Sequence, residues 1–574
     1  MDGKSSNRMK NNKVIIIGID GATFDIIRPM IKRGELPTFK GIIDKGASGE
    51  LMSTYPPHTV PAWPSCFTGV NPGKLGLFDF RENSHLNYDE GRLLFSTDIK
   101  SPPIWSILSE RGKKVMIVAM PLTYPPVKVN GVMVSPVRLT EPDKVQTYPP
   151  ELSEELFREI ELTSVLNERR QFMDMHTAKV GSDLETFLDK TVTSSFTVIK
   201  KLTESTLYLL SRYEYDFGMF MLPVDALQHH LWCSMDQGHP SYNPKLAEKY
   251  KGVIFEGYKS VDEAMGRILN KAGDDATIIL VSDHGFGPLH RIFYLNRWLI
   301  EQGLLKLKGG RPYSFNFAKT SINIFLQKIG LGAIARALPE GVKKWKIPIV
   351  KRSKKSIPEL IDWRHTYAYA TSYALNINLK AREPQGIVKP GNEYEDLVKH
   401  IKEELCKLKD PISGQILIDK VLEKREMYNG PYVEEAPDIL FFFKDPRYSA
   451  RKDPLYPDLF RHLTPEDRMS GHHTSFPEGI CIMKGPHIIP GANLTAPNIV
   501  DITPTVLYLM GEALHEDMDG RVLTEAINKE YIKSHPIVKS SEGLIKKDIA
   551  ESGILSSKDE EEIKKRLNEL GYMG

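Results

Sequence analysis

Cysteine is scarce in this chain: four residues in 574, Cys66, Cys233, Cys406 and Cys481, with no CxxC pair among them. That argues against a disulfide framework and against a thiolate zinc site. Net charge is nearly absent too, 76 Lys and Arg against 74 Asp and Glu, so nothing points to nucleic acid as a partner. No uninterrupted apolar run reaches the roughly 18–20 residues that span a bilayer. The opening MDGKSSNRMKNNK lacks the apolar core of a signal peptide. The expected compartment is the cytoplasm. What is present is ordinary globular material, 41% hydrophobic and 26% charged, in a chain long enough to bury a large core.

The first strong element is 14–19, VIIIGI, running straight into Asp20-Gly21. A short continuous β-branched run predicts a strand buried on both faces, as in a parallel sheet covered by helices. Similar runs recur at 114–119 (KVMIVA), 217–222 (FGMFML), 277–282 (TIILVS) and 438–442 (DILFF), with helical stretches at 103–111, 184–213 and 250–272 between them. Strand–helix alternation of this kind predicts an α/β sandwich. Residues 1–12 read as a polar tail and 13–525 as the main domain, with cap insertions at about 83–203 and 290–370. Residues 526–574 read as a charged helical tail.

In open α/β sheets the working groups sit at the carboxyl ends of strands. Asp20 ends the first strand. Asp225 follows FGMFML, with His229 one helical turn later. Asp283 and His284 end TIILVS, and Gly471-His472-His473 precedes a further apolar strand at 480–483. Each alone is more often a helix cap or a structural histidine, but four such clusters in one chain suggest a metal cage. Carboxylate and imidazole without thiolate suit Zn²⁺, Mn²⁺ or Fe²⁺ better than Ca²⁺.

One more segment stands out, HTVPAWPSCFTG from His58 to Gly69. Structurally it is a proline-stiffened loop entering a helix that stops at Gly69. Functionally it sets a hydroxyl at a helix N-terminus, where unpaired N–H groups favour an anion. A hydroxyl needs a metal or base to become a nucleophile at neutral pH. Thr59, Ser65 and Thr68 are all candidates on chemistry alone.

These motifs in combination resemble the type I phosphodiesterase/nucleotide pyrophosphatase branch of the alkaline phosphatase superfamily: IIGIDG, TVPAWPSCFTGVNPGKLG, VDALQHH, VSDHGFG, SGHH before GICIMKGP, and DITPTVLYLMG. The resemblance implies an alkaline-phosphatase-like three-layer α/β/α sandwich with a mostly parallel sheet and inserted caps. It implies two divalent ions, commonly zinc. Asp20, Thr59, Asp283 and His284 would hold one, and Asp225, His229 and His473 the other. It selects Thr59 as nucleophile, acting through a phosphothreonyl intermediate on a small-molecule phosphate ester such as a nucleotide or lipid phosphodiester. Leu75 stands where the family often has histidine. An asparagine that contacts phosphate is replaced by the stretch Leu77-Phe78-Asp79-Phe80-Arg81, in which Arg81 is the substrate-binding candidate.

A phosphonate hydrolase, phosphomutase or phospho-group transferase would share this core. A different class of reading is a membrane-surface protein without turnover, based on the apolar stretch 317–338 and the basic run 343–355. A helix packed in the cap with a solvated basic loop is the plainer reading of that segment. Trp363, Tyr428 and Tyr432 are candidates for stacking on a base.

Overall fold

The computed structural model describes residues 13–541 except 82–87, 89–90, 137–144, 161–182, 310–355, 372 and 457. The polar tail 1–12, the stretches 317–338 and 343–355, and the end of the charged tail lie outside the described residues.

The central sheet has eight strands. Their order is Ala47–Met52, Glu478–Lys484, Thr277–Val281, Val14–Gly18, Phe217–Met221, Val115–Val118, Gly131–Val134 and Thr147–Tyr148. The five from Thr277–Val281 to Gly131–Val134 are parallel. Glu478–Lys484 runs antiparallel to both its neighbours, and Thr147–Tyr148 is an antiparallel edge.

The run VIIIG explains why the middle of this sheet is sealed on both sides. Ile15 and Ile17 point into one core, packed by residues of the helices Phe24–Lys32, Leu184–Arg212 and Val253–Ala272. Val14 and Ile16 point into a second core, filled by the helices Thr59–Thr68, Ile104–Glu110 and Ile502–Leu509. The result is an α/β/α sandwich in three layers. Each fully buried isoleucine contributes about 1.5–3 kcal/mol gross, so a charge at Ile15 or Ile16 would break the sheet.

The run 438–442 does not join this sheet. Ile439–Phe443 lies in a separate antiparallel sheet with Ala368–Ala370, Ala374–Ile377 and Ile418–Glu423. A run of five apolar residues specifies burial but not its neighbours, and here the partners are antiparallel cap strands. Next to it Tyr448–Arg451, Arg291–Tyr294 and Phe460–His462 form a three-stranded sheet. The two share a core that includes Phe293, Trp298, Ile377, Ile401 and Phe441. This second region therefore takes strands from beyond 370. The stretch expected at 83–203, in turn, supplies Val115–Val118 and Gly131–Val134 to the central sheet.

Candidate active site

Parallel pairing brings the carboxyl ends of the strands to one edge. Asp20 lies just past Gly18, Asp225 past Met221, and Asp283 past Val281, and these strand ends are in register. Glu478–Lys484 is antiparallel, so its beginning, preceded by His472-His473, lies at that same edge. Ala47–Met52 ends there as well, since Met52 pairs with Glu478. Residues scattered over the whole sequence thus converge because of strand direction alone.

Asp20, Asp283 and His284 each offer one ligand atom, all within 4.8 Å of one another, and all three are buried. His284 Nε2 lies 3.2 Å from Asp283 Oδ2 and 3.6 Å from Asp20 Oδ1. Among the described residues, Asp20 Oδ1, both Asp283 carboxylate oxygens and His284 Nε2 have no hydrogen-bond partner. Buried polar atoms without partners are costly. Acceptor atoms facing one another with no donor between them fit a divalent cation.

Asp225, His229 and His473 gather beside this triad. The His229 and His473 rings are 5.5 Å apart, and Asp225 is close enough to raise the carboxyls of Asp20 and Asp283 by repulsion. Among the described residues, no second trio closes to the spacing of the first.

The histidine doublets are told apart by their hydrogen bonds. His473 Nδ1 is 2.8 Å from Pro57 O, His284 Nδ1 2.9 Å from Gly285 O, and His229 Nδ1 3.2 Å from Gly471 O. A carbonyl only accepts, so each Nδ1 carries the proton and each Nε2 keeps its lone pair. His472 is committed at both nitrogens, to Thr474 Oγ1 and Pro446 O, each at 2.9 Å. His230 turns away, bonding Arg468 O and packing on Phe187. Gly471 must be glycine, because a Cβ there would lie 2.4 Å from Gln228 O.

Burial governs the electrostatics. It pushes the Asp20 and Asp283 carboxyls well above the usual range, and neighbouring carboxylates add to the shift. It depresses His229 and His473 and takes His284 down to about 3. The imidazoles are therefore neutral, as ligation requires.

Thr59 is the first residue of the helix Thr59–Thr68, whose first internal bond is Ala62 N to His58 O at 3.0 Å. Pro61 falls in the first turn, where its missing N–H is not needed, and Gly69, at φ 75°, stops the helix. Thr59 Oγ1 is buried without a hydrogen-bond partner among the described residues. One turn on, Trp63 Nε1 donates to Asp20 Oδ2 at 3.4 Å, fixing this end of the helix against the triad. Thr68 donates to Pro64 O at 2.6 Å. It lies about 14 Å along the axis from Thr59 at the usual rise.

The chain matches the family model described as type I phosphodiesterase / nucleotide pyrophosphatase over residues 14–475. The chain belongs to this family. Phosphonoacetate hydrolase from Sinorhizobium meliloti 1021 is similar over 87% of this chain and 95% of its own, at 13% identity and a TM-score of 0.49. Murine ectonucleotide pyrophosphatase/phosphodiesterase 5 is similar over 88% and 96%, at 11% identity and a TM-score of 0.44. No curated protein sequence matches.

Leu75 is buried in the core beneath the helix Thr59–Thr68. Arg81 gives Nη1 to Gly91 O at 2.5 Å, so a backbone carbonyl already engages part of its guanidinium. Trp363 stacks on Tyr88 at 3.6 Å, and the Tyr428 hydroxyl bonds Tyr55 O. Both of these pack inside the protein. Two residues in the neighbourhood escaped the sequence reading. His58 is fully buried against Tyr373 and His473, with ring centroids 4.5 and 5.0 Å away. Trp63 braces Asp20. Their position just before and just after Thr59 was the available signal. Among the described residues no helix is long and apolar enough to cross a membrane.

Proposed function

We propose that this member of a phosphoester hydrolase family is a metal-dependent phosphodiesterase/nucleotide pyrophosphatase with Thr59 as nucleophile. One observation carries the reading. Asp20 Oδ1, both Asp283 carboxylate oxygens, His284 Nε2 and Thr59 Oγ1 have no hydrogen-bond partner among the described residues, on segments that meet at the carboxyl edge of the sheet. Asp20, Thr59, Asp283 and His284 would hold one divalent ion, and Asp225, His229 and His473 a second. Zinc suits this donor set, with manganese or iron as alternatives. Bound there, the ions supply charge neutralisation for the phosphoryl group and lower the pKa of the Thr59 hydroxyl.

The protein's own residues do the rest. The Thr59 oxygen attacks phosphorus and the alcohol or phosphate arm leaves, giving a phosphothreonyl intermediate. Water then displaces Thr59 and releases the product. The unbonded N–H groups and dipole at the start of the helix favour the phosphoryl oxygens. Trp63 holds one oxygen of Asp20, turning the other toward the triad. Carbonyls of Pro57, Gly285 and Gly471 fix the tautomers of the three histidines.

The substrate class is a small phosphodiester or pyrophosphate, nucleotide or lipid in its arms. The test joins metal analysis of purified protein to turnover of bis(p-nitrophenyl) phosphate, p-nitrophenyl phosphate and p-nitrophenyl sulfate. Two ions per chain, a preference for the diester and loss of activity with a chelator are expected. Metal-loaded protein inert toward every ester would overturn the reading.

A further inference from the structure

Several arginines of the region outside the central sheet are paired with carboxylates. Arg382 grips Asp438, Arg291 pairs with Asp410 and Arg461 with Asp467. Arg451, the last residue of Tyr448–Arg451, has no carboxylate partner among the described residues. Its Nη1 reaches the Tyr373 hydroxyl at 3.4 Å, Ser449 Oγ at 3.2 Å and Ala450 O at 3.1 Å. Its Nε and Nη2 make no hydrogen bond among the described residues. A half-buried guanidinium with no carboxylate paired to it among the described residues presents a planar fork suited to a carboxylate or phosphate, although the Asp79 carboxylate acts on the same Tyr373 hydroxyl.

Its surroundings lead to the nucleophile by two routes. Through Tyr373 it reaches His58, whose ring centroid is 4.5 Å from that of Tyr373 and 5.0 Å from that of His473. Through Ser449 it reaches Thr474, next to His473, with 3.3 Å between the hydroxyl oxygens. His58 precedes Thr59, is wholly buried, and has no hydrogen-bond partner at either ring nitrogen among the described residues. A guanidinium and an unsatisfied imidazole thus flank the same spot from the cap side.

We propose that Arg451 and His58 form an anion-binding subsite beside Thr59 that takes a second negatively charged oxo group of the substrate. That group is a phosphate or carboxylate adjoining the scissile phosphorus. The inference rests on the phosphohydrolase reading and sharpens it: substrates with a charged arm are preferred over those whose arms are neutral. His58 offers a ring N–H that has no other acceptor among the described residues.

The test compares wild type with Arg451→Met, Arg451→Lys and Tyr373→Phe on two substrates. Bis(p-nitrophenyl) phosphate has uncharged arms, whereas ATP has further phosphates beside the scissile one. Arg451→Met is expected to raise KM for ATP tenfold or more while kcat/KM for the aryl diester stays within threefold. Arg451→Lys should recover part of the loss, and Tyr373→Phe should show a smaller one. Equal losses on both substrates, or none on either, would overturn the subsite. ADP binding to metal-loaded protein, measured by calorimetry, reads the subsite without turnover. Tenfold weaker binding to Arg451→Met supports the subsite even if wild type hydrolyses neither substrate, a result that would count against the phosphohydrolase reading alone. Unchanged binding rejects the subsite.

Discussion

His473 stacks on His284 with ring centroids 4.0 Å apart and planes within 12°. One ring comes from the end of the Thr277–Val281 strand, the other from the loop before Glu478–Lys484, and the antiparallel pairing of those strands joins them. Both rings are neutral and both have Nδ1 on a carbonyl, which leaves Nε2 as the unprotonated nitrogen of each.

The doublet at 472 and 473 should therefore separate cleanly. His473→Ala is expected to lose one equivalent of bound metal and more than about 100-fold in kcat/KM, beyond what loss of an orienting partner costs. His472→Ala removes bonds to Thr474 and Pro446 O instead. It should keep its metal stoichiometry and lose thermal stability. Metal analysis and melting temperature of both variants give the answer, and a reversed pattern would reassign the ligand.

Gly18 is a second sensitive point. A Cβ there would meet Trp63 Cη2 at 2.7 Å and Met221 Cε at 3.2 Å. Because Trp63 braces Asp20, Gly18→Ala should displace the brace as well as strain the core. The expected cost is about 1–3 kcal/mol of stability, with a fall in turnover that exceeds the loss of folded protein. Activity per folded molecule, from denaturant-corrected assays, checks this.

Asp438 anchors the cap. Arg382 holds its two oxygens at 2.8 and 2.6 Å, while Lys424, Tyr394 and the Ile377 N–H add further donors. These partners outweigh burial and bring the carboxyl down to about 2. The native state thus binds its proton less readily than the unfolded chain does. The contribution to stability is complete above the ordinary carboxylate value of 3.8 and is lost as pH falls through about 2. Asp438→Asn should destabilise the cap by about 3–5 kcal/mol at neutral pH and flatten that acid limb. Urea melts at several pH values measure both effects.

How much of this was legible in the sequence follows from where each signal is encoded. The runs VIIIG and TIILV declared buried parallel strands locally, and Asp20, Asp283 and His284 could be placed from them. His229 and His473 were preferred over their neighbours by spacing and motif alone. The discrimination itself depends on the carbonyls of Pro57, Pro446, Arg468 and Gly471, which only the folded chain brings near. DILFF reads like a central strand, because five apolar residues do not name their partners. His58 looks like loop filler until its burial is known. Arg451 is one arginine among many until its lack of a paired carboxylate among the described residues is seen. The residues alone leave Thr59, Ser65 and Thr68 open; only the resemblance selects Thr59, which lies at the start of the helix.

The most direct test of the account is Thr59→Ala, assayed on bis(p-nitrophenyl) phosphate with metal content and melting temperature recorded for the same sample. The account predicts a folded protein whose turnover falls at least about a thousandfold, as expected when a covalent nucleophile is removed. It also predicts that acid-quenched wild type, unlike the variant, carries phosphorylated Thr59. Wild-type turnover by Thr59→Ala would contradict it.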